Sequence, residues 1–276
     1  MQYENPQPRE GINVSNEHPL KEFTQLLLGV AIVIVLIVLS LNLTAGFLAQ
    51  KIPFKFEQEM VAGFELSKVT KSKQQQYLQE LADKLVLEMD LPEGMQITVH
   101  YNDDDTVNAF ATLGGNLIFF KGLIDKIDSE QELSTVIAHE IAHIKNRHPI
   151  VALGKGLTLA VFATSISGST GSGAGDWLIG SSANLSLLKY SRDQESVADA
   201  DAAKAINSLY GNIGGANELF EHFNELESAN KNNPIVMELF QSHPYSEKRW
   251  QQLQTLAAEK NWQTIGELTK LEFPAD

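Results

Sequence analysis

From Phe23 to Gln50 the chain carries no charged residue, and Leu26 to Ala49 is almost wholly apolar. This run exceeds the roughly 20 residues that a helix needs to span a bilayer. The polar residues Ser40, Asn42 and Thr44 fall only near its end. A cleaved secretion signal is the rival reading. Its apolar core is usually only about 7–15 residues, whereas here the run is longer, the leader before it is long and mixed in charge, and no clean A-x-A site follows. We read an uncleaved single-pass anchor at residues 25–49, preceded by a polar leader (1–24). A juxtamembrane segment (50–70), one domain (71–260) and a C-terminal tail (261–276) then follow.

The chemistry is concentrated in His139-Glu140-Ile141-Ala142-His143, which reads H-E-x-x-H. Apolar residues at Leu133, Val136, Ile137, Ile141 and Ile144 recur at helical spacing, Ser129 with Glu132 fits a capping box, and Pro149 is the expected stop. On such a helix the two histidines lie on one face. They can grip one Zn²⁺ while the glutamate between them holds the attacking water. A chance cluster on a solvated face fits poorly, because Ala138, Ile141, Ala142 and Ile144 make the surroundings apolar and buried unpaired histidines are costly.

A zinc peptidase also needs a third protein ligand and an open fourth position. A third histidine six residues on is absent, since Pro149 stands there, and Asn146 replaces a glycine; the inverted H-x-x-E-H order is absent too. A glutamate on a later helix remains. Glu195 and Asp199, at i and i+4 in a helix-favouring stretch, share a face. Glu195 can ligate the metal while Asp199 accepts the other N–H of a metal histidine. By spacing alone they are equally well placed on an acidic surface helix.

H-E-x-x-H followed by S-R-x-x-E-x-x-A-D (Ser191 to Asp199) resembles the HtpX and CAAX-prenyl-protease type of membrane-associated zinc metallopeptidase, which includes BepA-like and OMA-like proteases. Asn108-Ala109-Phe110 with Gly114-Gly115 is similar to that family's N-A-F-x-x-x-G-G strand pair. His243-Pro244 with Arg249 resembles its H-P…R element, and the likeness runs from about Gly63 to Leu256. The resemblance implies His139, His143 and Glu195 as zinc ligands, Glu140 as base, and Asp199 as the partner of a zinc histidine. It implies an α+β fold, mostly helical and gluzincin-type, with a small sheet beside the H-E-x-x-H helix and one transmembrane helix before it. His243, in the family-like position, is our candidate oxyanion donor, with Tyr190, Tyr245 and Arg249 as weaker candidates. Its plainer reading is a turn histidine before Pro244. Asn108, Ala109 and Phe110 can pair their backbone with an extended substrate, or belong to ordinary core sheet.

Elsewhere the patterning gives a helix over Ser72–Met89, a strand over Gln96–Tyr101, and a hairpin joining Thr106–Thr112 to Asn116–Phe120. Ile150 to Leu188 reads as two core or interfacial helices, or else as a re-entrant membrane hairpin, around a Gly/Ser-rich stretch (Ser167–Gly175) that is a lid or a linker. His18, His100, His148 and His222 are left as surface or structural residues. The absence of cysteine excludes disulfides and thiolate metal sites, and a net charge of −14 argues against nucleic acid.

Together these features point to a membrane-anchored zinc endopeptidase acting on unfolded or membrane-associated proteins. The alternative is a non-proteolytic holdase that keeps zinc for stability. Lys51 and Lys55 after the span weakly favour a cytoplasmic domain, while the short polar leader and the BepA-like resemblance favour the extracytoplasmic face of a bacterial inner membrane. We adopt the latter.

Overall fold

A computed structural model describes residues 19–62, 72–156, 189–229, 243 and 247–275. In chain order its elements are α1 (Pro19–Ala49), α2 (Phe54–Val61), α3 (Lys73–Leu87), β1 (Thr98–Asn102), β2 (Ala109–Ala111), β3 (Asn116–Phe120), α4 (Lys121–Ile124), α5 (Glu130–Lys145), α6 (Arg192–Tyr210), α7 (Gly214–Ala229) and α8 (Glu247–Lys260). The chain divides into two units, Met1–Leu41 and Asn42–Asp276.

The first unit holds most of α1. Leu20–Ser40 is a helical stretch of 21 residues, long and apolar enough to cross a membrane, and none of its most apolar window is buried in protein. Leu26, Leu28, Val33, Leu36 and Leu39 are all more than half exposed. Such a stripe has no satisfactory partner in water.

In the second unit α5 is the central element. Leu133 to Ala138 and Glu140 to Ile144 are all buried, so the helix has almost no solvated face. Its Leu133, Ile137 and Ile141 pack with Leu78, Leu81 and Leu85 of α3 and with Ala198, Ala202 and Ile206 of α6. The small side chains on both helices let α5 and α6 approach closely, and this is the most extensive helix pairing. The expected capping box starts α5: Ser129 Oγ accepts from the Glu132 N–H, and the Glu132 carboxylate accepts from the Ser129 N–H. Its end differs from expectation. The helix stops at Lys145, Arg147 adopts a left-handed φ of 59°, and residues 148–156 are helical again. Pro149 therefore sits in the first turn of the next helical stretch, where its missing N–H costs nothing.

The sheet has the order β1-β3-β2, with β1 parallel and β2 antiparallel to β3. The β2–β3 hairpin turns through Gly114 and Gly115, as expected, with φ of 73° and 87°. A Cβ on Gly115 would lie 1.9 Å from the Gln96 carbonyl oxygen, so only glycine fits. One sheet face (Ala109, Ala111, Leu117, Phe119) joins the main core, while Phe110, Ile118 and Phe120 cluster on the other. Residues 261–275, expected as a tail, bond back to the start of α5. Glu130 N–H donates to Thr269 O, Leu271 N–H to Asp128 O, and Phe273 meets Tyr77 edge-on at 5.7 Å. The leader (1–18), Tyr245 and all of the Ile150–Leu188 region beyond residue 156 lie outside the described residues, the Ser167–Gly175 stretch included.

Because the Ser129 side chain satisfies a buried helix-end donor, Ser129→Ala is expected to lose about 1 kcal/mol. Thermal unfolding of the whole chain in detergent should register this as a lower Tm.

Candidate metal centre and catalytic cleft

The α5–α6 pairing sets the H-E-x-x-H turn against the first two turns of α6. A second capping box begins α6: Ser191 Oγ accepts from the Gln194 N–H, and Gln194 Oε1 accepts from the Ser191 N–H. Glu195 and Asp199 thereby point at α5 rather than at solvent, with 1% and 8% exposure. The acidic-surface-helix alternative does not describe them.

The donor atoms converge. His139 Nε2 and His143 Nε2 are 3.0 Å apart. Glu195 Oε2 is 3.5 Å from His139 Nε2, and Oε1 is 3.4 Å from His143 Nε2. Atoms each 2.0–2.1 Å from one tetrahedral centre would lie about 3.3 Å from each other, so this spacing fits a zinc-sized ion. His243 joins the set: its Nδ1 is 3.3 Å from His139 Nε2 and 3.2 Å from Glu195 Oε1. The ligand atoms of all four residues lie within 4.8 Å of one another. The sequence placed His243 as a donor to the substrate oxygen. Its position here is that of a fourth donor facing the same centre, with Nε2 3.4 Å from Glu140 Oε1.

Charge supports the fit. Glu140, Glu195 and Asp199 are buried, and Arg249 is the only permanent cation packed against them among the described residues. Its guanidinium grips Asp199 through Nε and Nη2, both at 2.7 Å, and reaches Glu195 through Nη1 at 2.9 Å. With the imidazoles neutral and the carboxylates ionised, as metal binding requires, three carboxylates against one guanidinium leave two negative charges uncompensated, which a dication would balance. The same excess acts on the imidazoles. Burial opposes a charge on His139, but the Asp199 and Glu195 carboxylates outweigh it and push its pKa up to about 10. Burial, then the charges of His139 and His243, hold His143 well below the usual histidine range despite the opposing pull of Glu195. Burial raises Glu140, only partly offset by His243, His139 and the Ala111 N–H, which favours proton uptake by that carboxylate.

The histidines are oriented from behind. His139 Nδ1 lies 3.0 Å from Oδ1 of Asp199, the aspartate expected beside a metal histidine. His143 Nδ1 is 2.8 Å from Nδ1 of His148, a residue that sequence reasoning left as structural. A metal on its Nε2 would place the His143 hydrogen on Nδ1, from where it can be donated to His148. The Tyr190 ring stacks on His143 with centroids 4.0 Å apart, and the Tyr190 hydroxyl donates to Ala111 O at 3.2 Å. Arg249, named only as a weak oxyanion candidate, instead holds two carboxylates. His222 and His100 lie elsewhere, beside Glu132 and Asn116 respectively.

Strand β2 forms the other wall. Asn108 O accepts from Phe120 N–H and Thr112 N–H donates to Asn116 O. By alternation, Phe110 also faces β3, and the backbone groups of Ala109 and Ala111 point away from it. Ala111 N–H accordingly donates to Glu140 Oε2 at 2.7 Å. Of the three residues expected to meet substrate, Ala109 carries free-edge backbone groups, whereas the backbones of Asn108 and Phe110 are turned to β3. A mainly apolar cavity of about 70 Å³, lined by Val136, Ala202, Ala216, Leu219 and Phe220, opens beside His139 and Glu140.

The profile of peptidase family M48 matches residues 72–257. A stretch of 75 residues, 26% of this chain, is 36% identical to the beta-barrel assembly-enhancing protease of Yersinia pestis, of which it covers 15%. The mitochondrial metalloendopeptidase OMA1 of Schizosaccharomyces pombe is 27% identical over 154 residues, 55% of this chain and 44% of that protein. The protease HtpX homolog of Dictyoglomus thermophilum is 29% identical over 200 residues, 60% of this chain and 65% of its own length. The chain thus spans only a small part of the beta-barrel assembly-enhancing proteases it matches.

Glu195→Ala is expected to empty the site of metal, while Asp193→Ala on the exposed side of the same helix leaves it filled; equal metal content by elemental analysis would refute the assignment of Glu195. A second expectation concerns pH. Burial depresses His148 to about 4 in the folded chain. An unfolded histidine binds its proton near pH 6.5, so between these values the unfolded state binds more protons. The stability contributed by neutral His148 is present above pH 6.5 and lost as pH falls to 4. Wild-type Tm should therefore drop more steeply over that window than the Tm of His148→Gln.

Proposed function

The chain belongs to peptidase family M48 and is a metallopeptidase, and on that premise we propose a membrane-anchored, zinc-dependent endopeptidase that cleaves unfolded or membrane-associated proteins in quality control. The observation that carries this reading is the meeting of His139, His143 and Glu195 at 3.0–3.5 Å, with Glu140 held between them and the free edge of β2. Those three residues would hold zinc. When bound, zinc supplies a Lewis acid that polarises the scissile carbonyl and makes the attacking water more acidic.

The rest falls to the chain's own groups. Glu140, whose proton affinity is raised by burial, takes the proton from the attacking water and passes it to the leaving amine. Ala111 N–H keeps that carboxylate aimed while it is ionised. An extended substrate lies along the edge of β2 and pairs with the backbone of Ala109, which demands little of its sequence. The adjoining apolar cavity accepts an apolar side chain. His243 at the donor set fills the position that the attacking water needs, so cleavage requires it to withdraw. Once withdrawn, it stands beside the carbonyl as the oxyanion donor assigned from the sequence. Family membership and the intact Glu140 favour cleavage over the non-proteolytic holdase reading.

The apolar helix supports membrane association. We place residues 25–49 in a bacterial inner membrane, with the catalytic domain on its extracytoplasmic face.

Glu140→Gln preserves the shape of the side chain but removes the base. It should keep full metal content and lose casein cleavage by two orders of magnitude or more, in keeping with the roughly 10²–10⁴-fold worth of a general base. Undiminished cleavage would overturn the role of Glu140.

A further inference from the structure

Helix α2 precedes the stretch matched by the family, residues 72–257, yet one of its side chains is bonded to the segments that follow both walls of the cleft. Glu57 is 3% exposed. Its Oε1 accepts from Arg147 Nε at 2.8 Å and lies 2.6 Å from Arg147 Nη2. Its Oε2 accepts from Gly114 N–H at 3.1 Å. Arg147 Nη2 also donates to Ile52 O at 2.7 Å, so the guanidinium ties down the segment leading into α2 as well. The backbone is tight at both ends of this link. Arg147 holds a φ of 59°, disfavoured for a residue with a Cβ, and a Cβ on Gly114 would come within 3.0 Å of the Gln58 Cα.

What these two ends hold is specific. Arg147 directly precedes His148, whose Nδ1 lies 2.8 Å from Nδ1 of His143. Gly114 lies three residues beyond Ala111, whose N–H aims Glu140. A buried ion pair contributes little net stability compared with well-packed apolar residues. Its cost is better explained by geometry than by stability. We infer that Glu57 and Arg147 are positioning residues for catalysis: through them the helix following the anchor segment sets the strand edge that aims the base and the His143–His148 pair in register. This rests on the reading of Glu140 as the base.

The test uses the full-length chain in detergent with Glu57→Gln, Arg147→Gln and the double variant. Each is assayed for kcat and KM on a fluorogenic peptide, metal content and Tm, and for the d–d absorption band of the cobalt(II)-substituted protein. Each single variant is expected to lower kcat on the order of tenfold or more at near-unchanged KM and full metal content. The double variant should be no worse than the poorer single, because the two side chains act as one unit. A lowered Tm with wild-type kcat would overturn the inference, since the pair would then be only structural; so would losses in kcat that multiply. If Glu57→Gln does not fold, Arg147→Lys, which keeps the charge but not the fork, decides by the same kcat criterion. If cleavage persists in Glu140→Gln, the reading of the base fails, and the cobalt band decides alone: altered in Glu57→Gln it supports the link, unaltered it overturns it.

Discussion

Three carboxylates and one guanidinium share the small volume between α5 and α6, where water is largely excluded. Such an imbalance of buried charge is tolerable only if something cationic completes it. The protein groups show the strain plainly, since His139 is drawn towards its protonated form by the same carboxylates that would face a metal. Much of the surrounding architecture serves this constraint. Arg249 comes from α8 to clamp two of the carboxylates, the Ala111 amide comes from β2 to meet the third, and a central helix with no solvated face carries the histidines. The mainly apolar packing around α5 keeps the electrostatics strong, because a low local dielectric magnifies every charge left in it.

The features that could be read from the sequence are those whose cause is local. H-E-x-x-H places two imidazoles on one face by helical geometry alone, and the Ser129–Glu132 box announces the start of its helix. Glu195 and Asp199 were half legible: spacing put them on one face, but only packing decided that the face turns inward. Family resemblance supplied what spacing left open. The hairpin was readable because Gly114-Gly115 is a strong turn signal between apolar runs.

What escaped the sequence depends on contacts between distant segments. His148 is five residues from His143, an offset that no single helix brings to one face; the left-handed break at Arg147 makes the contact. That break also explains why Pro149 misled, since the helix had already ended before it. Arg249 grips Asp199 across 50 residues, and the choice of Ala109 and Ala111 over Asn108 and Phe110 as the free edge follows from the register with β3. Charge −14 gave no hint of Glu57, one acidic residue among 35 acidic side chains, because its burial is a property of the fold rather than of composition.

The return of residues 261–275 to the start of α5 bears on how such a chain comes to life. Gln131 Nε2 meets Thr269 Oγ1 across 138 positions, and the Tyr77 hydroxyl reaches Glu130 from 53 positions earlier. The helix that carries the histidines is thus framed by partners from far along the chain on both sides. Contacts at such separations need distant parts of the chain to be present together. A nascent chain that has already emerged past His143 holds the whole H-E-x-x-H motif but neither Glu195 nor the 261–275 segment that bonds to the start of α5. The donor set therefore closes only in a completed fold, and a half-made chain carries the motif without the site.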